Sequence, residues 1–109
     1  MADDAKAAYE DAVSLFGEGK KEEAAAALTD LIRAFPLYSD AYETLGMVYY
    51  KLGRLDEAVE WTKKLAALKP EEPMAHVNLS IFYMKQGMKE KAEEEKAIAT
   101  VLQFSKPKK

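Results

Sequence analysis

Three glycines, Gly19, Gly53 and Gly87, stand 34 residues apart in a chain of 109. Five residues after each comes an alanine: Ala24, Ala58 and Ala92. Twelve residues beyond the first two alanines comes a proline, Pro36 and then Pro70. A fixed period of this size marks stacked structural units, each too small to bury an apolar face alone. The units are expected over roughly residues 5–38, 39–72 and 73–106.

Each unit reads as two helices. In the second, SDAYETLGMVYYKLG sets Ala41, Leu45, Val48, Tyr49 and Leu52 at helical spacing. Ser39 or Asp40 is placed to cap the helix start by accepting from free backbone N–H groups. Gly53 suits the following turn, since a residue without Cβ enters left-handed backbone angles freely. LDEAVEWTKKLAALK then lines up Leu55, Ala58, Val59, Leu65 and Leu68, and Pro70 ends the helix for want of an N–H. The small Ala58 allows its helix to approach the preceding one closely. β-branched residues are few, so strands are not expected. The residues therefore predict an all-α chain of six helices in three antiparallel pairs.

Tyr42, Leu45, Gly46 and Tyr49, followed by Ala58 and Pro70, resemble the tetratricopeptide repeat, TPR. The third unit keeps Leu79, Tyr83, Gly87 and Ala92, with His76 in the aromatic position and Ser80 in the small one. The first unit departs most, with Ala8, Asp11, Ala12 and Leu15 in the signature positions. The resemblance spans nearly the whole chain and implies an α-solenoid: a right-handed superhelical stack forming a single domain over residues 1–109, with a short basic tail at 105–109. Polar residues at the ends, Asp11 on one side and Glu93 and Lys96 on the other, are expected where a terminal unit meets water. The chain is expected to be a complete small array.

By the same resemblance, the first helix of each pair lines a concave surface. The large or cationic side chains there are Lys6, Tyr9, Val13 and Phe16, then Met47, Tyr50 and Lys51, then Met74, Val77, Ile81, Met84 and Lys85. A solvated surface would not be so apolar, and contiguous apolar patches mark interaction sites. Methionine and aromatic side chains suit an adaptable groove. The expected role is a protein-interaction adaptor whose groove holds an amphipathic helix or apolar peptide of a protein partner; the plainer reading is that these residues pack helices together. One TPR subclass clamps acidic tails with paired lysines, but the matching positions here are Tyr9, Val13, Thr44, Met74 and Asn78, so a tail clamp is not expected.

Trp61 is expected either to pack against the third unit or to join Ile98, Val101 and Phe104 in an exposed patch. That patch carries the alternative function, a self-assembling scaffold subunit that oligomerises through its repeat ends. Other chemistry lacks support. The single histidine and the absence of cysteine argue against a metal site. No phosphate-binding glycine loop is present, so neither cofactor nor enzymatic activity is expected. The formal charge of −3 argues against nucleic acid, despite Lys106, Lys108 and Lys109 in the tail. No apolar run is long enough for a membrane span, and the acidic start is unlike a secretory signal. The expected location is cytoplasmic.

Overall fold

A computed structural model describes the backbone of residues 2–105, with side chains from residue 4 onward. The tail lysines Lys106, Lys108 and Lys109 lie outside the described residues. Six helices follow one another: α1 (Ala2–Gly17), α2 (Lys21–Ala34), α3 (Ser39–Lys51), α4 (Leu55–Leu68), α5 (Met74–Lys85) and α6 (Lys89–Ser105). There is no strand among the described residues. Each helix packs chiefly on its neighbours in the chain, forming an α-solenoid.

The three periodic glycines make the same turn three times. Gly19, Gly53 and Gly87 have φ of +84°, +78° and +79°. In each turn the residue after the glycine donates to a carbonyl in the last turn of the preceding helix: Lys20 N to Leu15 O, Arg54 N to Tyr49 O and Met88 N to Tyr83 O, all 2.9 Å. This left-handed cap satisfies carbonyls that the helix end leaves free. Glycine holds that backbone without the Cβ clash that other residues meet there.

The prolines act one residue early. Phe35 and Lys69 precede Pro36 and Pro70 and are pushed out of the helical region, to φ/ψ of −134°/77° and −130°/70°. The corresponding stretch of α6 has Gln103 and Phe104 instead. Without a proline, α6 runs 17 residues against 14 for α2 and α4.

The capping expectation at α3 is corrected by the structure. Tyr38 occupies the cap position, Ser39 is already helical, and no side chain caps the start. Lys20 and Arg54 likewise precede α2 and α4 without side-chain caps. The acidic first turns, with Glu22 and Glu23 or Asp56 and Glu57, complement the helix dipole instead.

The core forms two clusters. Leu28, Leu31, Leu45, Val48 and Tyr42 anchor the first, between the first two helix pairs. Leu79, Phe82 and Tyr83 join Ala58 and Val59 in the second. Tyr49 packs against both. Gly46 permits the closest approach: a Cβ there would come 2.6 Å from Thr62 Oγ1 and 3.9 Å from Phe82. Thr62 is buried and donates to Ala58 O at 2.7 Å, so it has no room to retreat.

Candidate functional site

One face repeats on the first helix of every pair. It carries Lys6, Tyr9, Val13 and Phe16 on α1, then Asp40, Glu43, Met47 and Tyr50 on α3, then Met74, Val77, Ile81 and Met84 on α5. Spacings of three and four residues put each set on one side of its helix, away from the buried positions.

The structure divides this face in two. Toward α1 the side chains are engaged. Tyr9 shares a 2.7 Å hydrogen bond with Thr44 Oγ1, and its ring lies 5.5 Å from that of Tyr38. Phe16 packs against the first cluster, while Val13 stays exposed. Met47 and Tyr50 pack against the second cluster, with the Tyr50 ring 5.1 Å from Phe82. On these residues the plainer reading, helix packing, has direct contacts behind it.

Toward α5 the face is open. Met74, Ile81 and Met84 keep 46%, 45% and 49% of their surface, with Val77 half-buried among them in sequence. The opposite side of α5 buries Ala75, Asn78, Leu79, Phe82 and Tyr83. The helix is thus apolar on both sides, a pattern suited to burial on both sides. Lys51 and Lys85 stand exposed at the C-terminal ends of α3 and α5, with the Lys51 ammonium 5.8 Å from the Tyr50 ring centre.

The other end of this face opens on a cleft of about 200 Å³ between the starts of α3 and α5 and the end of α4. Ser39, Asp40, Glu43, Lys69, Glu72 and Met74 line it. Burial, and then the neighbouring Asp40 charge, hold the Glu43 carboxyl above its ordinary range. The tail-clamp positions show no cationic pocket: Tyr9 and Thr44 bond each other and Asn78 is buried beneath the face.

The second set of residues separates. Trp61 is half-buried against its own repeat, its ring 5.9 Å from that of Tyr42, with the Lys64 ammonium 5.0 Å from the indole centre. It therefore adds little to an exposed patch. Ile98, Val101 and Phe104 are exposed on α6, Phe104 to 86%. Sequence reasoning missed one contact. His76 donates from Nδ1 to Glu95 Oε1 at 2.6 Å, and both side chains are mostly buried. These positions lie 34 residues after Tyr42 and Trp61, so the shared spacing was the available signal.

No helix among the described residues is long and apolar enough to cross a membrane. No curated protein sequence matches the chain. Among solved structures, MamA is 29% identical with a TM-score of 0.88, over 92% of this chain and 58% of its own. The chain thus spans little more than half of MamA. The type III secretion translocator chaperone SycD of Yersinia enterocolitica is 22% identical with a TM-score of 0.92, over 98% of this chain and 80% of its own. A chain of the CopN-Scc3 complex is 20% identical with a TM-score of 0.91, over 98% of this chain and 63% of its own. These likenesses place the six helices among known helical-repeat stacks. A family model described as tetratricopeptide repeat matches residues 9–73, more than half the chain, and the chain belongs to that family.

Proposed function

We propose that this protein-interaction module is a cytoplasmic, non-enzymatic adaptor that holds an apolar or amphipathic segment of a protein partner on the α3/α5 face. The observation that carries the reading is α5 itself. Its packed side is complete, yet its outer side still offers Met74, Ile81 and Met84 to solvent. Covering roughly 400 Å² of apolar surface would release on the order of 10 kcal/mol. Association and side-chain ordering offset much of that, so micromolar binding is expected.

The test is Ile81→Glu with Met84→Glu, because both side chains are half-exposed and outside the core clusters. Tyr50→Glu would be a poor probe, since that ring lies on Phe82. The double variant should keep its circular dichroism and lose proteins that the parent chain captures from its native lysate. Identical captures would reject this face.

A second reading has its own observation. Ile98, Val101 and Phe104 form an exposed apolar stripe on the long last helix. It supports self-association, which sedimentation across a concentration series would detect and Val101→Glu would abolish. Filament growth by repeat stacking has less support. The α6 positions matching Val59 and Thr62 are the exposed Glu93 and Lys96.

A further inference from the structure

Charge on the open face is sorted along its length. α3 and α5 start side by side at the cleft, where Asp40 and Glu43 stand with Lys69 and Glu72 on the surrounding walls. Near their other ends the Tyr50 ring of α3 lies 5.1 Å from Phe82 of α5, and Gln86 Nε2, just after α5, donates to Asp56 Oδ1 at the start of α4 at 2.7 Å. At that end stand Lys51 and Lys85, neither of them in the ion pairs of the described residues. The exposed apolar side chains of α5 lie between the two ends. From Asp40 to Lys51 the helix rises about 16 Å, three turns.

On the groove reading just given, we propose that the occupant is a partner's helix of about three turns, apolar along one side, acidic at its N-terminal end and basic at its C-terminal end, lying antiparallel to α3 and α5. Its basic end then meets Asp40 and Glu43, and its acidic end meets Lys51 and Lys85. A cation at the cleft would also relieve the crowding of Glu43 by Asp40. The same charge order complements the occupant's own dipole, so docking and helix formation favour one sequence. The reverse orientation would set like charges together at both ends, which is how charge fixes register and rejects wrong partners.

Two fluorescent helical peptides test this against the full chain. Both carry the same leucine stripe and composition; one has glutamates first and lysines last, the other the reverse. The first should bind about tenfold more tightly at low salt, with the gap narrowing as salt screens the ends. Asp40→Lys/Glu43→Lys should cancel or invert the preference. Met84→Glu should weaken both peptides while circular dichroism stays unchanged. Equal affinities that both fall with Met84→Glu would overturn the charge order and leave the groove standing. No binding by either peptide, or binding indifferent to Met84→Glu, would overturn the groove and this proposal with it. Self-association of the chain alone, lost with Met84→Glu, would give the face to a second copy and overturn the proposal as well.

Discussion

The middle and third repeats share one backbone and differ in how their paired helices are pinned. In the middle repeat Tyr42 meets Trp61 ring to ring, and the Tyr42 hydroxyl donates to Pro36 O at 2.6 Å. In the third, the same two positions hold His76 and Glu95, joined by one short hydrogen bond. An aromatic pair adds about 0.5–1.5 kcal/mol beyond the area it buries. A partly buried polar pair must first offset the water it gives up, so its net contribution can be close to nothing. The first repeat has Ala8 and Ala27 there and pins nothing. Identical folds can thus be held with unequal strength. The middle repeat, flanked on both sides, carries the strongest join.

The largest blow to this comparison would come from Phe82. It is almost wholly buried and links the third repeat to Gly46 and Tyr50 of the second. Phe82→Ala should cost about 3–5 kcal/mol by denaturant unfolding. Amide exchange in α5 and α6 should accelerate more than in α2 and α3. Uniform acceleration would show that the two repeats unfold as one.

Next comes Gly46→Ala. A methyl there meets Thr62 Oγ1, and overpacking of this kind costs about 1–3 kcal/mol. Thr62→Ala in the same chain should recover part of the loss. The third repeat carries Ser80 at the matching position, half-exposed rather than sealed, so Ser80→Ala should be close to neutral.

Transplanting the join sharpens the comparison further. His76→Tyr with Glu95→Trp should raise stability by about 1 kcal/mol in thermal melts. His76→Tyr alone should lower it, because Glu95 loses its partner. A loss in the double variant would mean the space between α5 and α6 is cut for the polar pair.

The smallest effect is expected at Glu43. Its folded-state carboxyl lies above the ordinary value, so at pH values between the two the native chain holds a proton that the unfolded chain has already released. Stability from this group is therefore present at low pH and lost as the pH rises through the raised value. Glu43→Gln should flatten that part of the stability–pH curve, leaving the variant slightly more stable than the parent at neutral pH. An unchanged curve would show that solvent screens the carboxyl fully.

The backbone plan was legible because it rests on the two residues whose backbone freedom departs most from the rest, glycine with more and proline with less. Gly53 has to permit a positive φ, and Pro70 has to displace Lys69, whatever surrounds them. Helix starts were less legible: Ser39 could cap α3, but the chain enters the helix at Tyr38 and uses no side chain for it. The face was legible in composition only. The repeat resemblance placed Tyr9 and Met84 on one surface, yet it could not show that Tyr9 would find Thr44 while Met84 would stay half-exposed. Trp61 and Glu95 were visible as counterparts, and so were Tyr42 and His76. That the two sets touch depends on how far each helix rotates about its axis, which a single sequence does not record.

The chain-neighbour packing described for the fold also bears on how the molecule is made. Nearly every tertiary contact joins helices consecutive in sequence, so few contacts wait on a distant segment. Closing short loops costs little entropy, and folding dominated by such contacts is fast. A helix pair emerging from the ribosome can settle on the pair before it at once. Synthesis and folding can therefore keep pace, each new pair covering the apolar face that the pair before it left open.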